Sequence, residues 1–260
     1  MKKLFALLTV LLFAGFAFSQ DFSSIIQDGN TNMADVDQTY WIGAYNNSYI
    51  TQDGEVQGSE AWIDQLGGGN LSNVQQTLLW GPYGSDNDNK AWVYQTGWDN
   101  NTQIYQVYDN EEMNVYQDGM RNYSVSSQIG NENKGFAVQL GNDNIAYLYQ
   151  ENSNNWANAV QVGFGNYSII NQIDGHQSMA DVYSEGTSNF SSILQLDYRN
   201  FSDVDQVGLG NQSYITQQDG VGETWPYTKN NDAKVLQLGS WNVSNVFQNG
   251  ISNSVNVYQH

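Results

Sequence analysis

The side chains through which this chain could act are carboxamides, and their spacing follows a rule. Glutamine recurs every eleven residues at Gln95, Gln106, Gln117, Gln128, Gln139, Gln150, Gln161 and Gln172. Each closes a segment of the form N-x-[small]-x-[aliphatic]-x-Q, such as Asn144, Ala146, Leu148, Gln150 or Asn166, Ser168, Ile170, Gln172. An amide offers donor and acceptor together. A regular array of amides can therefore form hydrogen-bonded ladders that satisfy themselves layer upon layer, as in cross-β assemblies.

Groups suited to catalysis or metal binding carry no comparable pattern. There is no cysteine, which removes disulfides, iron–sulfur clusters and thiolate metal sites. The two histidines, His176 (placed in a turn) and His260, have no motif around them. Asp86, Asp88, Asp109 and Asp232 fall in turn segments. Paired acids could serve glycoside chemistry, but a coil as thin as this one frames no cleft. The expectation is a protein that is not an enzyme and takes no metal or cofactor.

The elements that position the amides follow from their spacing. Within each unit the patterned residues lie two apart, the period of a β-strand, so they share one face. The unit can be laid along the rest of the chain, closing at Gln27, Gln38, Gln52, Gln65, Gln76, then the eight above, then Ser184, Gln195, Gln206, Gln217, Gln237, Gln248 and Gln259. Six places before the close, 16 of the 20 units have asparagine, among them Asn89, Asn100, Asn122, Asn133, Asn144, Asn155, Asn166, Asn189, Asn200 and Asn211. Two places before it, 17 have Val, Ile or Leu. A repeat this regular decides the fold. The inward slots carry only two formal charges, Asp21 and Glu111.

A second regularity sets the size of one coil. Four places before the close, nine of ten odd-numbered units carry a hydroxyl (Ser23, Ser48, Ser72, Thr102 and onward), against one of ten even-numbered units. The true period is therefore 22 residues, a strand–turn–strand–turn coil. Eight even units have glycine two places after the close (Gly67, Gly97, Gly119, Gly141, Gly163, Gly186, Gly208, Gly239), which predicts a turn with positive φ there. The fold expected is all-β: a flattened two-sheet parallel β-solenoid of about ten coils. At about 4.8 Å per layer it makes a rod roughly 45–50 Å long. Aliphatic side chains form a thin seam, small residues let the sheets approach, and the amides ladder along the axis.

Composition adds the setting. Net charge is −19 with 13% charged and 13% aromatic residues. Such acidity repels nucleic acid. Met1–Ser19 reads as a signal peptide: Lys2 and Lys3, the apolar run Leu4–Phe18, and small residues Ala17 and Ser19 before a cut ahead of Gln20. Residues 20–260 are then the exported repeat region, with no later segment apolar enough to insert in a membrane. Two long insertions, Thr77–Asp88 and Gln218–Asn230, each carry a similar knot: Trp80, Pro82, Tyr83 and Trp225, Pro226, Tyr227. Either they contact a partner or they pack back on their own edge.

The spacing N-x-[AS]-x-[VI]-x-Q-x-G-x-x-N resembles the curlin repeat of curli fibre subunits. Clear instances run from Gln139 to Ala146 and from Gln206 to Asn211. The resemblance implies a flattened solenoid that polymerises end to end into extracellular amyloid fibres of a biofilm matrix. It also implies export through an outer-membrane pore and initiation on a nucleator subunit. In that family Ser, Asn and Gln form the inward ladders, which here map onto the slots named above. Four features depart from the family pattern. Serine sits four rather than six residues before glutamine. The glycine turn follows the alanine-type strands. The usual non-repeat segment after the signal peptide is nearly absent, since Asp21 already fills a repeat slot, and ten coils is about twice the usual number. The functional expectation is a secreted, self-assembling structural subunit; the alternative is a non-polymerising solenoid adhesin acting through the Trp-Pro-Tyr insertions.

Overall fold

The computed structural model describes residues 21–28, 31–40, 44–53, 58–77, 88–218 and 230–260, without the side chain of Tyr40. Residues 1–19, expected to be a signal peptide, and the Trp80, Pro82, Tyr83, Trp225, Pro226 and Tyr227 knots lie outside the described residues.

Twenty strands form two ten-stranded sheets. The first sheet stacks β1 (Phe22–Gln27), β3 (Asn47–Asp53), β5 (Leu71–Thr77), β7 (Asn101–Asp109), β9 (Tyr123–Asn131), β11 (Ile145–Ser153), β13 (Tyr167–His176), β15 (Phe190–Leu196), β17 (Gln212–Gln218) and β19 (Val243–Asn249). The second stacks β2 (Met33–Tyr40), β4 (Glu60–Gly68), β6 (Lys90–Trp98), β8 (Glu112–Met120), β10 (Lys134–Asn142), β12 (Trp156–Phe164), β14 (Met179–Thr187), β16 (Phe201–Leu209), β18 (Asp232–Ser240) and β20 (Ser254–Gln259). Each strand pairs in parallel with strands two places away in sequence. The chain thus alternates sheets at every turn and climbs one layer per two strands. Ten strands in each sheet make nine layer-to-layer steps, so the coils that close fully on a further layer number about nine.

Burial alternates with period two along the inner strands, as in β10 and β12. The core is one continuous seam of Ile50, Ile63, Val74, Ile104, Ile170, Ile193, Ile215 and their neighbours, lined by Ala61, Ala91, Ala157, Ala180 and Ala233. The two sheets run head against tail across this seam, so the small residue of one faces the closing glutamine of the other. Ser48 Oγ donates to Gln65 Oε1 at 2.8 Å, and Thr102 Oγ1 donates to Gln117 Oε1 at 2.9 Å. A long side chain at the small slot would fill the space the glutamine needs.

The turns use the left-handed region twice. The eight predicted glycines have φ between +99° and +129°. A Cβ on Gly119 would land on the carbonyl oxygen of Gly141, and one on Gly141 on that of Gly163. Glycine is required there for space as much as for φ. The second left-handed residue directly precedes most strand-opening slots and is often not glycine: Asp99, Arg121, Glu132, Asn154 and Trp241. The repeat reading gave no weight to that position. His176, placed in a turn by the sequence reading, instead ends β13 and stacks on Tyr198 at 5.2 Å.

Candidate functional site

Each closing glutamine projects from mid-strand into the seam, and interior members are fully buried. In the first sheet Nε2 of one glutamine donates to Oε1 of the next, one coil on. Gln27 donates to Gln52, Gln52 to Gln76 and Gln76 to Gln106, at 2.7, 2.7 and 2.9 Å. The column continues through Gln128, Gln150, Gln172, Gln195, Gln217 and Gln248, at 2.7–3.0 Å. The second sheet carries Gln38, Gln65, Gln95, Gln117, Gln139 and Gln161 in the same manner. Ser184 interrupts it there. Ser184 Oγ reaches Gln206 Oε1 at 3.3 Å, and the column resumes through Gln237 to Gln259.

The second N–H of each Nε2 reaches across the seam. Gln106 donates to Lys90 O at 2.9 Å and Gln117 to Asn101 O at 3.1 Å. Apart from Gln161, which faces Ser184 in the next layer, every interior glutamine amide is thereby bonded up, down and across. A net hydrogen bond contributes about 1 kcal/mol, whereas a buried amide left unpaired costs about 1–3 kcal/mol. The columns therefore act chiefly by penalising any other register.

The asparagines do something different from the self-ladder expected of them. Oδ1 accepts the backbone N–H of the next asparagine: Asn122 N–H donates to Asn100 at 3.0 Å and Asn144 N–H to Asn122 at 3.1 Å. Nδ2 donates to a turn carbonyl in the next layer, Asn122 to Gly141 at 2.8 Å and Asn144 to Gly163 at 3.1 Å. Asn166, Asn189 and Asn211 hold Gly186, Gly208 and Gly239 likewise. In the other corner Asn89 and Asn133 hold the carbonyls of Tyr108 and Asn152, and Asn155 that of Gly175. Asn200 instead donates to Leu196 O. Side-chain-to-side-chain asparagine bonds also occur, as from Asn144 to Asn122. The asparagine is thus principally a corner clamp between layers.

Glu111 replaces one clamp. It is fully buried, its N–H donates to Asn89 Oδ1 at 2.9 Å, and its Oε1 accepts from Asn133 Nδ2 at 3.2 Å. Its Oε2 is buried with no hydrogen-bond partner. Burial pushes this carboxyl well above its ordinary range.

At the ends the columns are open among the described residues. Gln27 is exposed and Gln38 and Gln259 are half-buried, where interior members are buried. Gln27 and Gln38 send Nε2 into the stack, so their Oε1 atoms point the other way along the axis. Gln248 and Gln259 accept from the stack and use Nε2 to bond Asp232 O and Val243 O, which leaves each a second N–H. One end thus offers acceptors and the other donors.

The two outer faces are unlike. Three side chains per strand point out between the opening slot and the close, thirty on each sheet. On the first sheet none of the thirty is Asp, Glu, Lys or Arg. On the second, twelve are: Asp35, Asp37, Glu60, Asp64, Lys90, Glu112, Lys134, Asp181, Asp203, Asp205, Asp232 and Lys234. The first face carries an aromatic ladder, Tyr123–Tyr147–Tyr167–Phe190–Tyr214, with ring centroids 5.3–5.9 Å apart. The second has a shallow groove of about 560 Å³ in which Trp62 stacks on Trp92 and Tyr94 on Tyr116, beside Asp35, Asp37 and Asp64. Lys134 pairs with Glu112 at 3.1 Å and Lys90 with Glu60 at 4.0 Å between layers. Burial and neighbouring acids push the Asp64, Asp181 and Asp203 carboxyls up, and burial does the same to Asp205.

No curated protein matches the chain. Its residues 228–260, which hold β18, β19 and β20, match the family model of the curlin associated repeat. Fold and repeat together fit a curlin-like structural protein, and over that segment the chain is similar to the curlin-repeat family.

Proposed function

We propose that this chain is a secreted structural subunit that adds copy to copy by end-to-end β-stacking, forming extracellular curli-like amyloid fibres of a biofilm matrix. The observation that carries this is the polarity of the glutamine columns. Acceptors stand at the β1/β2 end and donors at the β19/β20 end, so the tip of one copy is the complement of the opposite tip of the next. A contact between two different ends of the same molecule does not close on itself and propagates into a filament. The terminal strands also present backbone N–H and C=O groups along their outer edges, a ready template for another strand. Each addition would bury Ile25, 43% exposed, and Gln27, also exposed for lack of a further layer, and extend both columns.

The role is mechanical, without catalysis or cofactor. Export across an outer membrane and a nucleating partner follow from the same family reading. The test is direct. Purified chain lacking residues 1–19 should convert from monomer to thioflavin-positive fibres with a 4.8 Å meridional reflection, and preformed fibres should abolish the lag. Protein that stays monomeric for days under seeding would sink the proposal.

A further inference from the structure

We infer that the uncharged outer face of the first sheet is the surface through which two copies pair side by side, so that the working assembly is a doubled rod. The inference starts from charge. A chain with net charge −19 should place acids on every exposed surface that pairing does not reserve. The second sheet does so, and its face carries nine carboxylates and three lysines among thirty outward positions. The first sheet has none among its thirty; its nearest acids, Asp28, Asp53 and Glu151, lie one place past the closing glutamine, at the margin of the face. Two rods meeting through it keep the charged faces on the far sides, separated by four sheet layers at about 10 Å spacing. That is well beyond the screening length of about 8 Å at physiological ionic strength. Pairing second face on second face brings carboxylates together, and pairing first on second buries them against an uncharged surface at a desolvation cost.

Area and chemistry point to the same partner. The nine gaps between ten strands at about 4.8 Å and five residues at about 3.3 Å give a plane of roughly 700 Å² per copy, or about 1,400 Å² in total. This lies within the range of specific, stable interfaces, about 1,200–2,000 Å². The face is composed of Tyr, Phe, Ile, Leu, Val, Asn, Gln, Ser and Thr, the uncharged, strand-favouring kinds of residue that interdigitate in dry zippers between paired sheets. Its aromatic ladder runs from Tyr123 to Tyr214, and Tyr214, like Tyr49 outside the ladder, is about two-fifths exposed. The occupant is a second copy of this chain. The pairing does not depend on end-to-end growth, so it can be tested separately.

The experiment inserts charge without changing shape. Asn73→Asp with Asn171→Asp adds two carboxylates to the first face, and Asn114→Asp with Asn256→Asp adds two to the second. Fibres are weighed by scanning transmission electron microscopy as mass per length. Wild type and the second-face variant should give two chains per ten-layer rise, and the first-face variant half that value, with elongation rate unchanged. A single-rod value for wild type, or equal values for both variants, overturns the pairing. If no fibres form, the assembly reading fails by itself, and sedimentation then decides the pairing. A dimer abolished only by the first-face pair supports it; a wild-type monomer overturns it. Circular dichroism identical to wild type is required of each variant, and Gln75→Glu serves as a replacement if the first-face pair misfolds.

Discussion

Met113 and Gly135 are adjacent on the second sheet, and the sulfur of one fills the space that a Cβ on the other would need. They are paired in register between β8 and β10 at the slot that elsewhere holds alanine or another small residue. A Cβ on Gly135 would sit 2.5 Å from Met113 Sδ. The seam has therefore exchanged one large and one small residue between neighbouring layers at roughly constant volume.

That exchange predicts a compensating pair. Gly135→Ala should cost about 1–3 kcal/mol by overpacking. Met113→Ala should cost about 2–5 kcal/mol by opening a cavity. The double variant restores the alanine column of the other layers and should fall well short of the sum. Urea unfolding of all four proteins measures the coupling, and strict additivity would show that the two side chains do not share the space.

Column position should govern growth. Gln139→Lys or Gln150→Lys places a buried, unpaired charge in a slot where every neighbour expects an amide. Either should slow seeded elongation at least tenfold. Tyr147→Lys, on the outer face, should leave elongation within a factor of about two while disturbing lateral pairing. Equal slowing by all three in a seeded assay would contradict the burial of the glutamines.

Glu111 predicts that the rod is more stable in mild acid. Its folded-state pKa is raised, so the folded chain holds this proton where the unfolded chain releases it. The stabilisation is intact below the ordinary glutamate range near pH 4.5 and declines as pH rises above it. Glu111→Gln removes the titration and should raise the urea midpoint at pH 7 while leaving it nearly unchanged at pH 4. Asp64, Asp181, Asp203 and Asp205 titrate in the same sense, so a weaker slope should persist in the variant. A midpoint for Glu111→Gln that is unaltered at both pH values would remove Glu111 as the source.

The two left-handed turn positions should answer very unequally to substitution. Gly163→Ala meets the carbonyl of Gly186 and should be severely destabilising, whereas Gly165→Ala, with its nearest atom 3.6 Å away, should cost about 1–2 kcal/mol. Glu132→Gly relieves a residue held at φ +59° and should raise the thermal midpoint, by up to about 1 kcal/mol of stability. Thermal unfolding of the three variants ranks them.

Much of this was legible in the chain because the repeat is one-dimensional. A period of two puts Asn144, Ala146, Leu148 and Gln150 on one face, the alternation of Ser and Ala doubles eleven to twenty-two, and Gly141 marks the positive φ that its turn needs. Identical units stacked in parallel leave little freedom once the period is known, so strand number, sheet number and the glutamine columns follow from spacing. Three-dimensional packing decided what spacing does not encode. Asparagine became a clamp on the turn carbonyl because its shorter side chain, placed at a corner, reaches backbone sooner than the next amide. Met113 was tolerated because Gly135 lies beside it, a neighbour 22 residues away in sequence. The asymmetry of the outer faces emerged only when alternate strands were assigned to separate sheets. Along the chain the charged outward positions between opening slot and close fall only in even-numbered strands, and the fold gathers those strands onto one side.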